Sequence, residues 1–209
     1  DILDKIRLEI MEHFVAFKDR FYLAGGTALA LQIGHRDSID FDFFGEKEFD
    51  TNKLFEELKN NFIDHKIEKI YEEKNTLTVV LDNSVKISFF KYSYELIGDT
   101  VDEPNFRLAS INDIACMKLN AIINRASNKD YIDIYYILQK VRLEEILKKA
   151  EQKFPDVDIN LFLKSMVFTK DIMVEPIMFK HKKNITLKKI QEFLKKEVKK
   201  VELERIKWV

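Results

Sequence analysis

Two carboxylates, Asp40 and Asp42, stand at i and i+2 in the string SIDFDFF, residues 38–44. On an extended backbone that spacing sends both to one face, while Ile39, Phe41 and Phe43 turn to the other. Two carboxylates so close repel each other unless a cation lies between them. Hard oxygen donors next to a phosphate site suit Mg2+, with Mn2+ as the alternative. A phosphate site stands just upstream, in Leu23-Ala24-Gly25-Gly26-Thr27. There a short apolar strand runs into two glycines and then directly into a helix. Glycines let the backbone approach a ligand closely, and a helix N-terminus offers unpaired N–H groups to an anion. Thr27 adds a hydroxyl at the same place. Gly-Gly before a helix is often only a tight turn, and an isolated D-x-D is often only a half-exposed strand. Together they supply both the phosphate grip and the metal grip of phosphoryl transfer.

The elements that must position these groups can be read from periodicity. Residues 2–17 carry apolar residues at helical spacing, and residues 21–24 read as a buried strand. A helix over 27–33 ends at Gly34, a natural C-cap. Residues 39–44 alternate as a strand, and Asp50 or Thr51 caps a helix running to about Phe62. Residues 67–72, 76–82 and 85–92 are β-rich, with a hairpin-like turn at Asp82-Asn83. After Pro104 the pattern is helical: a capping box at Ser110-x-x-Asp113, an apolar stripe from Ile111 to Ile123, and helices at 128–140, 143–153, 159–167 and 187–204. The expected architecture is therefore an α/β (α+β) domain over 1–107 with a mixed sheet and flanking helices, followed by a helical bundle over 108–209.

Composition narrows the class further. The chain has 209 residues, 46% hydrophobic and 34% charged, enough for a sizeable core and too apolar for a disordered chain. No run approaches the roughly 18 apolar residues of a membrane helix, so no membrane contact is expected. One cysteine, Cys116, excludes an internal disulfide framework and any zinc site built on several cysteines. The first residues, DILDKIRLEI, lack the apolar segment of a secretory leader, and a cytoplasmic location is the expectation. The net charge of -1 hides an asymmetry: residues 180–209 hold eleven basic and four acidic residues, net +7, on an acidic remainder. Such a stretch is either a solvated lysine-rich helix or a contact for nucleic acid.

The longer string LAGGTALALQIGHRDSIDFDFF, residues 23–44, resembles the AbiEii/AbiGii-type nucleotidyl transferase toxins, within the superfamily related to DNA polymerase β. A second block, Ala115, Lys118, Ala121, Arg125, Lys129-Asp130 and Asp133, resembles that family's helical region. The resemblance covers about residues 20–140 and implies a nucleotidyltransferase-like fold. It also implies transfer of a nucleoside monophosphate from an NTP to an acceptor hydroxyl. By that resemblance Gly25, Gly26 and Thr27 hold phosphates, helped by Arg36 and Ser38, and Asp40 and Asp42 bind Mg2+. Lys118 reaches the triphosphate, Arg125 and Lys129 assist at phosphate, and Asp130 or Asp133 serves as base or extra carboxylate. The acceptor it implies is an RNA such as a tRNA end, or a protein side chain, and the partner it implies is a cognate antitoxin.

Each helical residue also has a plainer reading. Lys118 can be a snorkelling lysine, and Asp130 and Asp133, i and i+3 on one face, can simply pair with lysines. Arg125 and Lys129 can merely flank a helix junction at Ser127-Asn128. His35 reads as a loop organiser, Cys116 as a buried structural residue, and Tyr131, Tyr135 and Tyr136 as helix packing. The superfamily usually adds a third carboxylate from a neighbouring strand. The candidate strand, SVKISFFKY at 84–92, has none, and Lys86 or Ser88 stands where it is expected. Three readings stay open: one firmly held metal, an acid supplied by Asp130 or Asp133, or a nucleotide-binding module whose catalysis is weakened.

Overall fold

A computed structural model describes residues 3–169, 171–180 and 184–206, residues 205 and 206 by backbone alone. The chain forms two compact units, Asp1–Ser110 and Ile111–Val209. The first unit opens with helix α1, Lys5–Glu12, capped by the Asp4 carboxylate on the Arg7 N–H. The expected 2–17 helix breaks here: a 3-10 turn at His13–Phe17 follows, and Ile2 lies outside the described residues. Then come β1 (Tyr22–Ala24), α2 (Gly25–Ile33), β2 (Phe41–Gly45) and α3 (Thr51–Asn61). The unit closes with β3 (Ile67–Glu73), β4 (Thr76–Leu81), β5 (Val85–Lys91), β6 (Val101–Asp102) and β7 (Arg107–Leu108).

The seven strands form one mixed sheet in the order β3-β4-β5-β2-β1-β7-β6. β2 runs antiparallel to β1 and parallel to β5, and β1 runs parallel to β7. The β4–β5 hairpin turns through Asp82 and Asn83, at φ 49° and 55°, the left-handed pair that a two-residue turn requires. β7 departs from the helix expected after Pro104; a strand of two residues leaves no period to read.

The alternation seen in the sequence assigns the two faces of the sheet. Phe41, Phe43, Leu77, Val79, Ile87 and Phe89 are fully buried on one face. Phe14 packs edge-on against Phe41 and Phe43 at 4.9 and 4.8 Å between ring centres, and Phe17 against Phe89 at 5.5 Å. Leu54 and Leu58 of α3 are buried with them. A fully buried Phe or Leu contributes about 1.5–3 kcal/mol, so this face carries most of the unit's stability. The other face is left to residues chosen for something else.

The second unit is helical: α4 (Ile111–Arg125), α5 (Asn128–Ile137), α6 (Leu143–Lys153), α7 (Ile159–Val167) and α8 (Leu187–Ile206). α4 packs on α5, α6 and α7, and α8 packs on α5, α6 and α7. Ile190, Leu194, Val198 and Val201 form the buried stripe of α8, at the spacing of one helix face. Lys188, Lys189, Lys195, Lys196, Lys199 and Lys200 are exposed. Lys182, Lys183, Lys207 and the side chain of Arg205, also part of the basic stretch, lie outside the described residues. Asp113, expected in a capping box, makes a fully buried ion pair with Lys153 at 2.9 Å.

Candidate active site

In the first unit the site is built where β1 turns into α2. Gly25 adopts φ +69°, a left-handed backbone that L side chains rarely take. A Cβ there would lie 3.1 Å from Asp42 Oδ2, so the bare backbone and the carboxylate sit face to face. A Cβ on Gly26 would lie 2.5 Å from Arg36 Nη2 and 3.0 Å from Ser38 Oγ. The helix begins at Gly25, two residues before the expected Thr27, and Ala24 at its N-cap position has no side chain to cap it. Gly34 ends it in the left-handed conformation, as its position suggests.

The loop 35–40 is drawn in around this corner. His35 and Arg36 are buried, and Arg36 Nη1 donates to the Asp37 carbonyl at 2.9 Å. The Thr27 hydroxyl lies 2.9 Å from Ser38 Oγ and also bonds the Asp40 carbonyl. Thr27 therefore fixes the D-x-D strand to the helix N-terminus with its side chain. Arg36 and Ser38 flank Gly26, within contact of a Cβ placed there.

β2 begins at Phe41, so Asp40 immediately precedes the strand and Asp42 lies within it; both are partly exposed. Register on β5 sets Asp42 opposite Ser88. The Lys86 ammonium lies 2.9 Å from Asp40 Oδ2. The position expected for a third acid thus carries a hydroxyl, which accepts from Thr78 Oγ1 at 3.2 Å, and a cation. Among the described residues no group of three His, Cys, Asp or Glu is placed to hold a metal. Two carboxylates still fit Mg2+, which is commonly held by one or two of them together with substrate phosphates.

In the second unit the other sequence-selected residues come together. Lys118 Nζ lies 2.8 Å from Asp130 Oδ1 and 2.6 Å from Asp133 Oδ2, and both carboxylates are fully buried. Arg125 adds a fork on Asp130, Nε to Oδ2 at 2.9 Å and Nη2 to Oδ1 at 3.1 Å, with its side chain 61% exposed. Burial pushes the Asp130 carboxyl up, but the charges and hydrogen bonds of Lys118 and Arg125 outweigh it, and its pKa lies below the ordinary value. Lys129 points elsewhere, to Glu175 at 2.6 Å. Ser127 and Asn128 also bond Glu175, which pins the α4–α5 junction to residues 173–175. Cys116 is buried, and desolvation with Asp113 nearby pushes its thiol up to about 12, so it is no nucleophile. Tyr131 is buried, its hydroxyl donating to the carbonyls of Ser165 and Phe168.

The sequence did not reveal the Lys86–Asp40 pair, the Lys153–Asp113 pair or the Glu175 contact, since each joins residues far apart in the chain. The family model for the AbiEii nucleotidyl transferase toxin of type IV toxin–antitoxin systems matches residues 9–208. The chain belongs to this family. As an AbiEii-family protein it is a toxin-type nucleotidyltransferase, and the family suggests an NTP as substrate and an antitoxin as partner. It is 34% identical over 211 residues to an uncharacterised protein of Aquifex aeolicus strain VF5, covering 94% of this chain and 96% of that one. In structure it is similar to the nucleotidyltransferase toxin MenT4 of Mycobacterium tuberculosis H37Rv, with TM-score 0.61 and 12% identity over 92% of this chain and 80% of that one. It is also similar to the antibiotic-resistance factor ANT(2'')-Ia, with TM-score 0.50 and 11% identity over 72% and 92% of the two chains. At such identities these two likenesses speak for the fold. No described helix is long and apolar enough to cross a membrane.

Proposed function

We propose that this AbiEii-family chain transfers a nucleoside monophosphate from an NTP to a hydroxyl of an RNA acceptor such as a tRNA end, releasing pyrophosphate. One observation carries the reading: the uncapped N-terminus of α2 opens at Gly25, against the Asp42 carboxylate, with Asp40 next on the same side. That places anion-binding N–H groups and hard oxygen donors within one small corner. Gly25 and Gly26 would receive the terminal phosphates on bare backbone. Thr27, Ser38 and Arg36 would hold the loop in shape. Asp40 and Asp42 would hold Mg2+ or Mn2+. When bound, the metal would neutralise charge on the transferred phosphoryl group.

Roles in the second unit follow from chemistry. Lys118, Asp130 and Asp133 form a closed, buried ion cluster, which suits them to position α4 and α5. Arg125 and Lys129 are the cations of that block that reach solvent, which suits them to phosphates. The exposed lysines of α8 favour an RNA acceptor, because phosphate binding by lysine is strong and indifferent to sequence.

The test is calorimetric titration of Mg-NTPs into the wild type and Asp40→Ala/Asp42→Ala, followed by transfer of α-labelled NTP to RNA. Binding and transfer that the double variant abolishes support the reading. Equal transfer by the double variant refutes it. Metal-dependent binding with no transfer to any acceptor would favour a weakened nucleotide-binding module, a reading that the Lys86–Asp40 pair and the missing strand acid support.

A further inference from the structure

The functional face of the sheet changes character rung by rung. The first rung is Lys86 and Val80, with Asp40 paired to Lys86 by its side chain, and the second is Ala24, Asp42, Ser88 and Thr78. The third is aromatic: Tyr22 on β1, Phe44 on β2 and Phe90 on β5, with Thr76 on β4 beyond them. Tyr22 and Phe44 stack at 6.1 Å and 24°, and Phe44 and Phe90 at 5.3 Å and 30°. Tyr92 meets Phe44 edge-on at 5.4 Å, and Tyr94 meets Tyr92 at 5.4 Å. Tyr22 is buried, Phe44, Phe90 and Tyr92 are half-buried, and Tyr94 is exposed.

Beyond the buried Tyr22, this row does not belong to the hydrophobic core. The core face of the same strands already carries Phe41, Phe43, Ile87 and Phe89. On the opposite face a half-exposed rung of rings is costly to leave wet, and such rows are what proteins use to stack unpaired bases. The stack is also unfinished: past Phe90 the rung continues on Thr76, which has no ring to extend it.

Its place relative to the carboxylates names the occupant. β1 leads from Tyr22 through Ala24 into Gly25, so the phosphate cradle lies at one end of the row of rungs and the rings at the other. Asp42 stands between them. Phosphoryl transfer is in line, with the leaving and attacking oxygens on opposite sides of phosphorus. A leaving pyrophosphate on the Gly25-Gly26 side therefore puts the acceptor on the aromatic side. We infer that Phe44, Phe90, Tyr92 and Tyr94 form a stacking platform for unpaired bases of a single-stranded RNA acceptor. This inference rests on the transferase reading above and adds to it the acceptor's single-stranded character and its docking place.

The experiment measures binding of a fluorescein-labelled, unstructured RNA octamer by anisotropy, with the same sequence as a duplex for comparison. Phe90→Leu, which keeps apolar bulk without a ring, is expected to weaken single-strand binding by about tenfold. Phe90→Trp is expected to retain it. Tyr94→Leu, at the exposed end of the row, gives a smaller loss and covers the case in which Phe90→Leu fails to fold. The Phe90→Leu loss should be the same at low and high salt, because stacking releases no counterions. Mg-NTP binding by calorimetry should be unchanged in all three variants. Undiminished octamer binding by Phe90→Leu and Tyr94→Leu overturns the platform, as does tighter wild-type binding to duplex or transfer of label to a protein side chain. The transferase reading is judged separately, by the Asp40→Ala/Asp42→Ala transfer result.

Discussion

Replacing Lys118 by Met tests the buried cluster of Lys118, Asp130 and Asp133. In the wild type its ammonium neutralises two fully buried carboxylates, at 2.8 Å from Asp130 and 2.6 Å from Asp133. Arg125 stays on Asp130 in the variant, so the exposed loss falls mainly on Asp133. Removing one partner of a buried ion pair costs about 3–5 kcal/mol, a large fraction of the roughly 5–15 kcal/mol that holds a typical protein folded. The assay is urea denaturation followed by far-ultraviolet circular dichroism at several pH values. pH makes the test sharper, because the sign reverses. In the wild type the Asp130 carboxyl lies below its ordinary 3.8, so its contribution is full above that pH and is lost as acid protonates it in the folded state. In Lys118→Met the stranded carboxylate is relieved by protonation, so stability rises on mild acidification before general acid unfolding sets in. Lys118→Met/Asp130→Asn/Asp133→Asn should recover much of the loss and show no such rise. The reasoning is refuted if Lys118→Met costs under about 1 kcal/mol at neutral pH, since the lysine would then be acting on substrate and not holding the helices.

Two further perturbations probe the first unit. Gly25→Ala forces a side chain onto φ +69° and into contact with Asp42 Oδ2; a loss of about 1–2 kcal/mol in urea stability with abolished Mg-NTP binding is expected, and unchanged binding would show that the corner is not the phosphate site. Lys86→Met removes the cation that pairs with Asp40; the pair is half-exposed and worth at most about 1 kcal/mol, so stability should hardly change. Calorimetry with Mn2+ alone should then show up to about fivefold tighter binding, and weaker binding would count against Asp40 as a metal ligand.

Much of this was legible because local chemistry and fold agree. Asp50 and Asp158 cap α3 and α7 with their side chains, and the apolar spacing of α6 and α7 fixes both ends. Asp82-Asn83 reads as a turn since few residue pairs accept two left-handed conformations. The alternation around Asp40 and Asp42 gives their shared face, although β2 begins only at Phe41. What could not be read depends on pairings distant in sequence. Nothing local says that Asp113 meets Lys153 forty residues later, or that Lys86 lies across from Asp40. Helix periodicity put Asp130 and Asp133 on one face, but only packing shows that a single lysine answers both. The aromatic rung had a visible signal, Phe44 two residues beyond Asp42 and Phe90 two beyond Ser88. Its meaning required the β2–β5 register.

That register also bears on how the missing acid is offset. A third carboxylate at Ser88 would place three negative charges on adjacent strands, which needs more than one cation to be tolerable. With Ser88 in that place no third negative charge is added, and the Lys86 ammonium offsets part of the charge at Asp40. The Lys86–Asp40 pair is half-exposed, so the lysine can swing aside at little cost when a stronger cation arrives with the nucleotide. A divalent ion and nucleotide that arrive together should therefore bind with positive coupling, each tightening the other, since the first to bind displaces Lys86 for both.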